Sequence, residues 1–316
     1  MLSISLAFII GCILLFSIAS ALFRDIEPVD NADVYLSVDE IFIPKESENV
    51  YYGLVFDTKD QSATENEKVL KNLREAVKKP YYFCPKYSDG FSLTSELCPL
   101  NKINDIAKIA QTSALAKAKK GDILGAFSDA LLPLQLGHLM QNSMSEPIDY
   151  LVALRIKNIG LETIQEISSK YTIPKSTAVR YANELSQFGN RTENLKQVFR
   201  VEYTMLYNSD QFNEKIPSNY YVQPNRYFKD LRDFQREKID FVGASCIEMP
   251  TLADTFESSL KDEQSKFKKN TWLLIKQNAL YEVQKAKMFR FPRGIYEKKC
   301  ENDSLFSDTI DQLKMK

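Results

Sequence analysis

Residues 145–168 read SEPIDYLVALRIKNIGLETIQEIS, and what this stretch forms decides the fold. Its apolar residues Ile148, Leu151, Val152, Ile159, Ile164 and Ile167 recur at intervals of three and four, the spacing of one helix face rather than a strand's alternation. Ser145 is placed to cap the first turn, Pro147 suits the first helical position, and Glu146 and Asp149 complement the positive end. We therefore expect a long helix that buries those six apolar side chains. Immediately upstream, ILGAFSDALLPLQLGHLM (123–140) is almost continuously apolar. Asp122 can cap it, and Pro133 should kink or split it. Before that, Ile103, Ile106, Ile109, Ala110, Ala114, Leu115 and Ala118 form one stripe that ends at Gly121, a suitable C′ residue. The connections between these segments are short, so the helices should pack as antiparallel hairpins.

The pattern extends in both directions. Val69, Leu70, Leu73, Ala76 and Val77 repeat at helical spacing until Pro80 stops the run. PKESENVYYGLVFD (44–57) starts with Pro and two Glu, which reads as the opening of a helix. Downstream, helices fit 175–188, 192–208, 226–240 and 252–288, with a break at Gly189-Asn190. No segment alternates polar and apolar residues long enough for a sheet. The expected fold is all-α: an N-terminal transmembrane helix followed by a multi-helix antiparallel domain. The expected regions are 1–24 (membrane anchor or signal), 25–102 (an N-terminal region with a cysteine loop) and 103–316 (the helical body).

Composition narrows the function. The 316 residues include 44% hydrophobic and 26% charged residues and a net charge of −1, so no global field favours nucleic acid. The single histidine, His138, removes most His-based catalysis and most zinc sites. There is no phosphate-binding Gly-rich loop, nucleophile elbow or H-E-x-x-H pattern. No cofactor or metal is implied.

Residues 2–23 carry no charge, and at ~1.5 Å per residue they span ~33 Å as a helix, enough for a bilayer core. An uncleaved anchor fits this length. Ala19-Ser20-Ala21 has the form of a signal-peptidase site, and Ile9-Ile10-Gly11-Cys12 the form of a lipobox, so these alternatives stay open. Four cysteines lie beyond the segment: Cys84, Cys98, Cys246 and Cys300. Cys84 and Cys98 sit close together in YYFCPKYSDGFSLTSELCPL (81–100), which leaves Cys246 and Cys300 as the second pair, although four cysteines allow three pairings and four free thiols in a cytoplasm-facing adaptor stay the rival reading. Bridged pairs persist outside the reducing cytosol, so the body is expected to be extracytoplasmic.

Candidate chemistry is sparse. His138 has no evident carboxylate partner. Glu162 with Glu166, and Asp122 with Asp129, could serve as paired acids in glycoside chemistry, but solvated helix faces explain them better. The segment NYYVQPNRYF (219–228) concentrates Tyr220, Tyr221, Gln223, Asn225, Arg226 and Tyr227, the residue types of a binding surface. The rival reading makes Asn225 a helix cap and the tyrosines core packing. Basic and aromatic residues interleave over 283–299, which suits an anionic bilayer or, more simply, a solvated helix end. Asn190-Arg191-Thr192 and Asn302-Asp303-Ser304 match the glycosylation sequon.

The pieces IPKESENVYY (43–52), ALAKAKKGDILGAFSDALLPLQLGHLM (114–140), DYLVALRI (149–156) and YYVQPNR (220–226) resemble segments of a diffuse group of uncharacterised bacterial envelope proteins. Those have one N-terminal membrane segment and a helical body. The resemblance implies a bacterial envelope setting and a helical body, and no activity; together with the apolar segment 2–23 and the cysteine count, it leads to the expectation of a single pass through the inner membrane and a periplasmic body. The expected function is binding or scaffolding by a membrane-tethered helical protein. Its expected partners are the membrane, through residues 2–23, and an envelope protein or ligand. The alternative is an envelope hydrolase using carboxylates, and a pocket lined by converging acids with perturbed pKa values would favour it.

Overall fold

The computed structural model describes residues 27–28, 30–56, 62–88, 98–208, 224–269 and 292–316. Its helices are α1 (Ala63–Ala76), α2 (Leu100–Lys119), α3 (Ile123–Gln141), α4 (Pro147–Lys170), α5 (Lys175–Leu185), α6 (Thr192–Asn208), α7 (Pro224–Phe241), α8 (Met249–Lys269) and α9 (Arg293–Lys314). Among the described residues there is no strand, only an isolated bridge between Asn49 and Tyr81. The protein is all-helical. The expected membrane segment 2–23, with its lipobox and signal-peptidase alternatives, lies outside the described residues. Among those residues one helix, α3, is long and apolar enough to cross a membrane; 61% of its most apolar window is buried, so it serves as a core helix.

α4 is the centre of the body and packs against α2, α3, α6 and α9. Local chemistry starts and stops these helices, at Asp122 and Gly121 as the sequence suggested and at Ser62 in addition. The Ser62 hydroxyl accepts the Glu65 N–H at the head of α1, and the Asp122 carboxylate accepts the Gly125 N–H at the head of α3. Gly121 adopts a positive φ of 85°, which lets the chain reverse between α2 and α3. α3 and α4 run antiparallel: Gly137 meets Ala153 and Lys157, while Gly160 meets Ala130 and Leu134. Both glycines bring backbone against backbone, and a Cβ at either would clash. Ala153, Ile156, Leu161, Ile164 and Ile167 fill the cores on either side of that seam.

The structure differs from the sequence reading in several places. α4 starts after Glu146 rather than Ser145, with Asp149 reaching back to accept the Glu146 N–H at 3.4 Å. Of the expected buried side, Ile159, Ile164 and Ile167 are buried, but Ile148 is exposed and Leu151 and Val152 are half-buried. The stretch 44–56 is not an α-helix (residue 57 lies outside the described residues). It forms two 3-10 turns, Glu46–Glu48 and Val50–Gly53, because Asn49 diverts its backbone: its side chain caps Tyr51 and bonds both the N–H and C=O of Phe83. Pro133 does not split α3. The expected helix 252–288 is described only to Lys269. α9 was not expected at all, yet it packs along α4 and α5.

Both cysteine pairs are bonded, with Cα–Cα distances of 6.3 Å for Cys84–Cys98 and 5.7 Å for Cys246–Cys300. The first fastens a loop beside the Leu36, Phe83 and Tyr87 cluster, and the second fastens the head of α9 to the turn after α7.

Candidate functional site

α4 offers one strip that is not covered by its neighbours: Leu151, Arg155, Asn158 and Glu162, at steps of four, three and four residues. This strip, with Lys108 and Gln111 of α2 and Lys298 of α9, walls a cleft of about 640 Å³ whose floor includes Leu154 and Ile159. The size suits a small-molecule or side-chain site, and an apolar floor with a polar rim is the usual construction. Three cations, Lys108, Arg155 and Lys298, face one carboxylate, Glu162. Lys108 and Lys298 make exposed ion pairs with Asp105 and Glu301, at 3.7 and 2.6 Å, which are weak enough to be exchanged for a ligand.

A polar chain leads from this wall into the core. The Asn158 amide oxygen accepts from Asn302, whose own oxygen accepts from Asn190 at 2.8 Å. The Lys157 ammonium donates to Asn190 at 2.6 Å and to Gln141 at 2.8 Å. Lys157 is fully buried, and burial pushes its amine down to about 7, opposed by Asp303 and assisted by Lys299. The network ties α3, α4, α9 and the 189–191 connection together, and the amine lines none of the described clefts. His138 stands beside it. Burial, then the charges of Lys157 and Arg191, lower its imidazole to about 4, so it is neutral at pH 7. Its Nδ1 has no hydrogen-bond partner among the described residues, and its ring meets Phe188 edge-on at 5.5 Å. Among the described residues no carboxylate orients it as a base.

The acids do not converge on the cleft. Asp122 caps α3, and Glu166 pairs with Lys170 at 2.7 Å. Asp129 is fully buried and held by Arg74 at 2.9 Å, Lys117 at 2.7 Å and Ser113 at 2.6 Å. The acids whose carboxyls are raised, Glu146 and Asp149, line none of the described clefts; burial carries them to about 7 and about 6. A second cleft of about 310 Å³ is lined by Phe42, Tyr81, Leu139, Asn142, Arg191 and Asn194, among others. Phe42 and Tyr81 are exposed and meet edge-on at 4.9 Å.

The sequence-nominated surface is only partly described. Tyr220, Tyr221 and Gln223 lie outside the described residues, as do the side chains of Arg226 and Tyr227. α7 starts at Pro224, so Asn225 is in its first turn rather than capping it. Phe228 packs on Tyr207 at 4.7 Å. Of the basic stretch, residues 283–291 lie outside the described residues, while Arg293, Lys298 and Lys299 pair with Asp254, Glu301 and Asp303. Sequence reasoning missed Lys157 and its amide partners. The signal was present: Lys157 shares a helix face with Ala153, Gly160 and Ile164, where a solvated lysine has no place.

No family model, curated protein or solved structure matches this chain.

Proposed function

We propose that this chain is a membrane-tethered binding protein whose body lies outside the cytosol, in a bacterial envelope, held by residues 2–23. Its site is the α2–α4–α9 cleft, and its ligand or partner presents an acidic group over an apolar contact. The observation that carries the reading is the separation of roles. The cleft has three rim cations, one acid and an apolar floor, while the raised acids lie elsewhere and line no described cleft. That arrangement favours recognition over carboxylate-based hydrolysis. The two disulfides support the extracytoplasmic setting.

The test is recovery of bound molecules with the full chain from its native membrane, comparing the wild type with Arg155→Glu and Lys298→Glu. Both positions are exposed, so melting should be unchanged. Loss of an acidic partner in the variants supports the site. Equal recovery in all three, or alkylation of all four paired cysteines without reductant, overturns the site or the setting respectively.

A further inference from the structure

At the head of α4, Glu146 and Asp149 are 4% and 3% exposed. Burying two carboxylates demands compensating charge or protons. Among the described residues, neither forms an ion pair with a lysine or arginine. Asp149 Oδ2 accepts the Tyr87 hydroxyl at 2.7 Å and the Glu146 N–H at 3.4 Å. Tyr87 also hydrogen-bonds Glu146. Its single hydroxyl proton can serve only one carboxylate at a time. Three further oxygens, Asp149 Oδ1, Ser145 Oγ and the Tyr82 hydroxyl, are buried with no hydrogen-bond partner among the described residues. Among the described residues, the groups acting on the pair are each other, the Glu146 backbone N–H and Tyr87, and Asp149 in turn acts on Tyr82; no cationic side chain among them contributes.

We propose that Glu146 and Asp149 share one proton at neutral pH, forming a proton-binding site that joins the disulfide-closed loop carrying Tyr87 to the head of α4. With both acids ionised, two adjacent buried charges would have one donor hydroxyl and the backbone N–H groups of Glu146 and Asp149 between them, and no cation. With one proton added, the pair carries a single charge and gains a second donor. Burial pushes both carboxyls up, to about 7 for Glu146, where the Asp149 charge adds, and to about 6 for Asp149, in line with this geometry. An unfolded chain releases these protons near pH 4. A raised carboxyl therefore contributes stability that is complete below about pH 4 and is lost as pH rises through the folded values, about 6 to 7. Acid tightens the join between loop and body, and alkali loosens it.

The test is urea unfolding of the full chain between about pH 5 and 8, for wild type, Glu146→Gln and Asp149→Asn, with infrared spectra of the carboxyl stretch. Referencing wild type to Glu146→Gln cancels the titrations of His138 and Lys157. One linked proton makes the referenced unfolding constant rise by up to about tenfold per pH unit between about pH 5 and 7. A protonated-carboxyl band should persist above about pH 6 in wild type and be lost in the variants. A flat referenced profile, or absence of that band, overturns the proposal. So does calcium restoring wild-type stability at about pH 8 to its value at about pH 5, which would make the pair a cation site. If neither variant folds, the wild-type infrared spectrum decides alone.

Discussion

Replacing Gly160 or Gly137 by alanine tests the α3–α4 seam. A Cβ on Gly160 would lie 2.9 Å from the Ala130 carbonyl oxygen and 3.2 Å from Leu134 N and Cδ1. At Gly137 it would lie 2.7 Å from the Ala153 carbonyl oxygen and 2.6 Å from Lys157 Cγ. Ordinary contacts are about 3.5–4.0 Å, so the helices must part by roughly half an ångström or more. Overpacking of that kind costs about 1–3 kcal/mol. Removing a helix glycine returns about 1 kcal/mol of propensity. The Ala130 obstacle is backbone, so Gly160→Ala should lose about 1–2 kcal/mol net. Gly137→Ala meets backbone and a buried side chain together and should lose about 2 kcal/mol. Both substitutions widen the same gap, so the second costs less once the first has opened it. The double variant should therefore fall short of the sum. Urea denaturation of the four proteins measures this cycle. Stabilisation of either single variant by the propensity gain alone, or strict additivity, would refute the close seam.

Other substitutions probe separate features. Asp129→Ala should cost about 3 kcal/mol in thermal unfolding, because it strips Arg74 and Lys117 of a buried partner. Burial opposes ionisation of Asp129, yet hydrogen bonds from Lys117, Ser113 and Arg74 hold its carboxyl below the usual value, so its contribution is present at neutral pH and lost on acidification below about pH 4. The lowered Lys157 amine has the opposite sense. The unfolded chain holds that proton more tightly, so wild-type stability should gain from about pH 7 towards 10, and Lys157→Met should remove the gain while leaving the Gln141 and Asn190 oxygens unpaired at about 1–3 kcal/mol. Breaking Cys246–Cys300, which closes 54 residues, should cost about 4 kcal/mol, against about 3 for Cys84–Cys98, which closes 14; melting of the serine variants compares them.

The three central helices were legible because their signals are local. Asp122 and Gly121 cap and stop helices through neighbours three or four residues away, and the stripe from Ile103 to Ala118 needs no partner to be seen. α9 was hidden because two of its buried residues, Asn302 and Thr309, are polar, so its apolar period is broken. The misread turn at 44–57 has a similar cause. Asn49 is held by Phe83, 34 residues away, and no local spacing reports that bond. The cleft was legible only as a fault in the expected core: Leu151 belongs to the apolar count of α4 but lies on its uncovered strip. The Lys157 network joins positions 141, 157, 190 and 302, and such a meeting exists only after α9 docks. The cysteine pairing was the one long-range feature that counting alone could supply.

The two sequon asparagines are the same residues that latch α9 to the body. Asn190 donates to the Asn302 amide oxygen, Asn302 in turn donates to Asn158, and Asn302 is fully buried. A glycan on either side chain would remove that amide pair and place a bulky sugar where α9 must seat. The choice of expression host therefore enters the folding problem. A secretory pathway that attaches sugars to the nascent chain would meet both acceptor sites before the helix closes over them, and would trap the protein open. A host without that machinery, supplying only an oxidising compartment, leaves the latch free to form.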